Sequence, residues 1–108
     1  MITGREEKTL NEAKKSLGES AVALRNDVGD LAASKTLTEV SAKENIKLDA
    51  VFINAGLAKF ASLEDADEAL WDLTFNTNIK GCLFHYTRLL SHLNKGVSIV
   101  QNGSLMPI

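Results

Sequence analysis

From Ala50 to Ile53 four apolar residues follow one another, Ala-Val-Phe-Ile, preceded by Leu48 and Asp49 and closed by Asn54, Ala55 and Gly56. A run so short and so apolar suits a strand covered on both faces, the setting of a parallel sheet held between layers of helix. Ligands of such open sheets lie beyond the carboxyl ends of the strands, so Asn54, Ala55 and Gly56 fall where a bound molecule is touched. Glycine admits close backbone approach there, and an Asn amide both donates and accepts. The same residues are ordinary turn formers, and taken alone a strand-to-loop turn is their plainer reading.

The flanking segments repeat one alternation. Ile2-Thr3-Gly4 reads as the tail of a strand, and Glu6 to about Leu17 as a helix with Leu10, Ala13 and Leu17 on one face and Gly18 as its stop. Ala21 to Leu24 is a second strand running into Arg25-Asn26-Asp27-Val28. A second helix follows from about Leu31 to Glu44, with Ala33, Leu37 and Val40 inward. Past Gly56 comes a loop to about Glu64, then the acidic entry Asp65-Ala66-Asp67-Glu68, suited to capping a long helix that runs to about Leu93. That helix carries two apolar stripes. Ala66, Leu70, Leu73, Gly81 and Phe84 suit a sheet, while Trp71, Phe75, Ile79, Cys82, Tyr86 and Leu90 call for a further layer or a second subunit. Val97 to Val100 forms a last strand ending in Gln101-Asn102-Gly103-Ser104. Strand tail, helix, strand, helix, strand, long helix, strand is the order of a parallel α/β fold, and a strand tail at the start implies sequence upstream.

At 108 residues with 44% hydrophobic content, residues 1–108 make one small domain. Twelve Lys and Arg against 14 Asp and Glu, without a basic block, argue against nucleic acid as a partner. Cys82 is the single cysteine, so no internal disulfide forms and a reducing, cytoplasmic setting is expected. No apolar run nears the roughly 18 residues of a membrane span, and the first residues lack the pattern of a signal peptide. No Cys/His spacing suits a metal. His85 and His92, seven residues apart, are too far from i,i+4 spacing to share one, and a packing or surface role is expected of both.

Asn54-Ala55-Gly56, Asn78 within Asn78-Ile79-Lys80-Gly81, and Asn102-Gly103-Ser104 after the last strand together resemble the short-chain dehydrogenase/reductase family. The family's Asn-Asn-Ala-Gly appears here as Ile53-Asn54-Ala55-Gly56, with the first Asn replaced. The resemblance covers essentially the whole chain. It implies a partial Rossmann-like fold of three layers, a parallel sheet with helices on both faces, lacking the first, central strand and everything after the fifth. It implies that Asp27-Val28 meets the adenine and that Asn54, Ala55 and Gly56 lie beside the nicotinamide ribose. Gly4-Arg5, where an acidic residue would favour NAD, points to the extra phosphate of NADP. Ser104 matches the serine that hydrogen-bonds the substrate carbonyl or alcohol, and Asn78 the amide that helps hold a water chain for proton relay. Without the family, Arg5 reads as a solvated surface residue, Asn78 as a helix residue bonded to nearby backbone, and Ser104 as a turn hydroxyl.

Two family motifs are missing. Thr3-Gly4 is followed by Lys8 and Leu10 where a phosphate-cradling Gly-rich turn would carry its later glycines, and four residues after Tyr86, the only tyrosine, stands Leu90 instead of Lys. Without a Tyr-x-x-x-Lys pair, hydride transfer leaves a developing alkoxide with no proton donor. Without a central strand the two halves of the sheet share no ladder. Each backbone group then buried without a partner costs about 1–3 kcal/mol, against about 5–15 kcal/mol for a whole domain. The isolated chain is therefore expected to be marginal, partly molten, or rescued by direct pairing of Ile2–Gly4 with Leu48–Ile53, and prone to aggregate through its strand edges. The implied function is that of a piece of an NADP-dependent oxidoreductase acting on a small carbonyl or alcohol, inactive alone. The alternative is a non-catalytic module that docks through the long helix, residues 67–93, as in the family's subunit interface, with a homo-oligomer as the result.

Overall fold

A computed structural model describes residues 1–103. Strand β1 (Ile2–Gly4) leads into helix α1 (Glu7–Leu17), which buries Leu10 and returns the chain to β2 (Ala23–Arg25). Lys14 and Lys15 sit in the last turn of α1, where cations favour the negative end of the helix dipole. β1 and β2 run parallel, with Ile2 N–H donating to Val22 O at 2.8 Å and Asn26 N–H to Gly4 O at 2.8 Å. Helix α2 (Ala33–Lys43) buries Ser34, Leu37 and Ser41, then hands over to β3 (Leu48–Ile53), the apolar run itself.

The long helix is present but not uniform. Asp67 caps α3 (Glu68–Phe75), its carboxylate accepting from Leu70 N–H at 2.8 Å. A π-helical turn over Asn76–Gly81 follows, then α4 (Cys82–Leu89) and a 3₁₀ turn over Leu90–His92. The wider π turn shifts the phase of everything after it. The inward stripe is consequently Thr77, Gly81, Cys82, His85 and Leu89, whereas Leu73 and Phe84, assigned above to the sheet, are exposed. Of the expected outer stripe, Cys82 belongs inside; Trp71, Phe75, Ile79 and Leu90 do lie outside.

β4 (Leu93–Gln101) begins four residues earlier than the sequence suggests. Its parallel ladder with β3 already holds at Leu48↔Leu93, and an irregularity follows before Ala50↔Ser98. Gly96, at φ +81°, supplies the backbone conformation of that kink. Asn94 Nδ2–H donates to Asp49 Oδ1 at 2.8 Å and Lys47 Nζ to Ser91 O at 3.0 Å, fastening the early pairing.

The sheet is split. β1 pairs with β2 and β3 with β4, and among the described residues no ladder joins the two pairs, so direct pairing of β1 with β3 does not occur. Helices hold the halves together, α2 packing on α4. The helix meets the loop after β2 closely at Gly81, where a Cβ would fall 2.0 Å from Val28 O, so a larger residue would force the backbone apart. No helix among the described residues is long and apolar enough to cross a membrane.

Candidate functional site

Between the two strand pairs opens a cleft of about 910 Å³. Each strand that ends at it delivers a short polar segment: Gly4 and Arg5 after β1, Asp27 and Val28 after β2, and Asn54, Ala55 and Gly56 after β3. The seven positions that the resemblance assigns to the cofactor line this one cleft. The body of the cleft is largely apolar, and among the described residues its charged lining side chains are Arg5 and Asp27, with the imidazole of His85 deeper in.

The segments are fastened from behind. Asp27 Oδ1 accepts from Gly29 N–H at 2.9 Å, a local turn that holds the loop after β2 in place. Asn54 Oδ1 accepts from Asn102 Nδ2–H at 2.8 Å, and Asn102 N–H donates to Ile53 O at 2.9 Å, tying the ends of β3 and β4. Arg25 Nε–H donates to Arg5 O at 3.0 Å. In the ladder Arg25 stands opposite Gly4, so two guanidinium-bearing residues meet at the end of the first strand pair. Sequence reasoning named Arg5 and missed Arg25; the parallel register of β1 and β2 is what brings them together.

Asn78 is not part of the cleft lining. Its Oδ1 accepts from Leu57 N–H and its Nδ2–H donates to Leu57 O, both at 2.8 Å, across 21 residues of chain. Both ends of the amide are spent on holding the loop that follows Gly56, a longer reach than the neighbouring backbone expected of a helix residue. Ser104 lies outside the described residues.

Two buried groups face the cleft from α4. Cys82 Sγ lies 3.5 Å from Ala55 O and 3.4 Å from Thr77 O, and burial pushes its thiol pKa up, partly offset by a backbone hydrogen bond. His85, only 6% exposed, donates Nδ1–H to Gly81 O at 2.9 Å and turns Nε2 toward Asn26 Oδ1 at 3.4 Å. Burial pushes the His85 pKa below its usual value; the bond to Gly81 O and the charges of Asp30 and Asp27 oppose this in part, while Arg88 adds to it. A neutral ring that donates from Nδ1 has an acceptor at Nε2. Asn26 Nδ2 is buried without a partner, so the amide turned end for end would donate to Nε2 and bond the pair properly. His85 thereby links α4 to the end of β2, a role its four-residue spacing from Gly81 signals once the inward face is known.

A family model described as short chain dehydrogenase matches residues 1–106. The chain belongs to the short-chain dehydrogenase family. It is 37% identical over 98 residues to a short-chain dehydrogenase/reductase of Pestalotiopsis microspora, covering 91% of this chain and 37% of that protein. Likewise it is 33% identical over 98 residues to a probable tetrahydroxynaphthalene reductase of Zymoseptoria tritici, covering 91% of this chain and 36% of that one. Among solved structures, a short-chain dehydrogenase from Burkholderia cenocepacia in complex with NADP superposes with a TM-score of 0.79 at 27% identity, over 95% of this chain and 44% of that one. A short-chain dehydrogenase/reductase from Brucella melitensis superposes at 0.84 over 92% of this chain and 43% of that one; at 20% identity it bears on the fold alone. This family member spans little more than a third of the length of the curated relatives it matches. Its fold is the corresponding part of a Rossmann-like α/β architecture, with parallel strands and helices.

Proposed function

We propose that this chain is the cofactor-cleft portion of an NADP-dependent oxidoreductase that moves a hydride between the nicotinamide and a carbonyl or alcohol. The observation that carries the reading is the convergence of Gly4-Arg5, Asp27-Val28 and Asn54-Ala55-Gly56 on one cleft beyond three strand ends. Arg5 would hold the phosphate that distinguishes NADP from NAD, with Arg25 beside it as a second fixed positive charge. Asp27 and the Val28 backbone would take the adenine. Asn54, Ala55 and Gly56 would flank the nicotinamide ribose, held open by Asn78 through Leu57. In that scheme the cofactor supplies the hydride; the chain binds, orients and excludes water.

Proton handling is incomplete. Ser104 would hydrogen-bond the substrate oxygen, but Tyr86 is followed at the fourth position by Leu90, so no lysine-paired tyrosine stands ready to protonate it. The chain is accordingly inactive by itself. Its likeness to a probable tetrahydroxynaphthalene reductase points to a fused-ring aromatic carbonyl as substrate for the whole protein.

The test is a fluorescence titration of the purified chain with NADPH and with NADH. NADPH should bind the better of the two, and Arg5→Ala should erase the preference, about tenfold or more for a charge-assisted bond of about 1.5–3 kcal/mol. Equal affinity for both nucleotides would overturn the NADP reading. Measurable turnover of a quinone or naphthol substrate would overturn the claim of inactivity.

A second reading, self-association through the long helix, is favoured by its outer face. Trp71 is 62% exposed and stacked on Phe75 at 4.1 Å between ring centroids, with Ile79 and Leu83 exposed further along.

A further inference from the structure

Asn26 stands where the contacts that set one wall of the cleft cross. It sits between Arg25, whose Nε–H holds Arg5 O at 3.0 Å, and Asp27, whose carboxylate shapes the turn that follows. Its own N–H donates to Gly4 O at 2.8 Å, beside Arg5 at the end of the first strand pair. A shift of Asn26 therefore reaches Arg5 and Asp27 together. Its side chain is only 4% exposed, and its partner among the described residues is the ring of His85, 3.4 Å away on α4. That ring is fixed in turn by Nδ1–H donating to Gly81 O at 2.9 Å. Both His85 and Asn26 line the cleft, yet neither is among the seven positions assigned to the cofactor.

We propose that His85 is a positioning residue: by gripping Asn26 it fixes where Arg5 and Asp27 stand, and so sets how strongly the cleft holds the phosphate-bearing adenosine end of its nucleotide. The nucleotide's part in this rests on the NADP reading; the grip of His85 on the loop after β2 does not. Buried polar groups are costly to leave unpaired, so the amide and the ring hold each other in place. The pair also registers its own proton. A neutral ring accepts at Nε2 and pairs with the Asn26 NH2, whereas a protonated ring donates there and calls for Oδ1, leaving Nδ2 without a partner. Protonation therefore turns the amide over. Asp27 and Asp30 bear on the ring from the loop after β2 and Arg88 from α4, while the buried residues of α2, Ser34, Leu37 and Ser41, bring no charge.

Two substitutions separate the two ring nitrogens. His85→Asn keeps a donor for Gly81 O where Nδ1 stood but falls short of Asn26, whereas His85→Gln extends an amide to where Nε2 stood. In the free chain, exchange of the Asn26 N–H should quicken about fivefold in His85→Asn, the worth of one neutral hydrogen bond, and return to its former rate in His85→Gln. In the unsubstituted chain, the side-chain NH2 signals of Asn26 should move with the His85 ring in a nuclear magnetic resonance titration, at one shared midpoint below pH 6.5. Binding is read with 2′,5′-ADP, the adenosine end alone with its distinguishing phosphate. Its affinity should fall about fivefold in His85→Asn and recover in His85→Gln, with nicotinamide mononucleotide binding all three chains alike. Unchanged Asn26 exchange or undiminished binding of the adenosine nucleotide in His85→Asn would overturn the proposal. So would no recovery in His85→Gln, equal weakening of both nucleotides, or Asn26 signals that ignore the titration of the ring. The expected exchange pattern in a chain that binds no adenosine nucleotide would overturn the NADP reading and leave the grip of His85 standing.

Discussion

Replacing Gly81 by alanine sets two effects of opposite sign against each other. Gly81 has ordinary helical dihedrals, φ −61° and ψ −47°, so alanine gains the usual helix propensity, about 1 kcal/mol. Against that, the new Cβ would lie 2.0 Å from Val28 O and 2.7 Å from both Val28 C and Asn76 O. All three are backbone atoms and none can rotate aside. Restoring a tolerable separation means moving the loop after β2 away from the helix by roughly 1 Å, and overpacking of this kind costs about 1–3 kcal/mol or more even where side chains can yield. With backbone on both sides the upper end applies, and the net loss should be about 2 kcal/mol. For a chain of this size that lowers Tm by roughly 8–16 °C. Thermal unfolding followed by circular dichroism measures it, with Gly103→Ala, whose Cβ meets nothing within 4 Å, as the reference substitution. An unchanged or raised Tm for Gly81→Ala would mean that propensity outweighs the contact and that the helix does not clamp the Val28 loop.

Four more outcomes are expected. In the free chain, amide exchange should alternate along β3, fast at Ala50 and Phe52 and slow at Val51 and Ile53; uniform rates along the strand would refute the split sheet. Because burial holds the His85 pKa below its usual 6.5, the unfolded chain takes up a proton there before the folded one does. Stability at His85 is therefore full above pH 6.5, declines as pH falls below it, and levels off once pH passes below the folded pKa; urea midpoints across that range should flatten in His85→Gln. Asn78→Ala removes two bonds of 2.8 Å to Leu57 and should cost about 2 kcal/mol in urea unfolding, with Leu57 losing its amide protection, while Asn78→Asp keeps the acceptor but sets a carboxylate oxygen against Leu57 O and should be no more stable at neutral pH. Ile79→Glu places a charge on the exposed stripe and should convert any dimer seen by light scattering to monomer; a dimer that survives it does not form through this face.

Much of the fold is legible in residue pattern. Leu48–Ile53 stands out because an apolar run of that length has few homes other than a doubly covered strand, and Asp67 announces its helix because a carboxylate three residues ahead of a free N–H is a cap. The polar segments after β1, β2 and β3 are also legible, since a parallel α/β order puts all strand ends on one side. What pattern reading lacks is the π turn. A constant 3.6-residue period carried through Asn76–Gly81 sends Leu73 and Phe84 inward, whereas the real helix turns Cys82 and His85 there. The early start of β4 is hidden for a different reason: Asn94 and Lys95 look like a helix stop, and their strand pairing depends on Asp49 and Lys47, 45 and 44 residues away from their partners Asn94 and Ser91. Arg25 joins Arg5 only through register, which no single segment contains.

Helices α2 and α4, not a continuous ribbon of strands, keep the two halves of this molecule in company. They behave like the spine of a book whose pages are the strand pairs. The gap between the pages is then governed at the spine, and a small slip of one helix along the other is magnified at the far margin where Arg5 and Asn54 stand. Changes at Leu37 or Leu89 should thus alter how wide the volume falls open without touching a single residue at its lip.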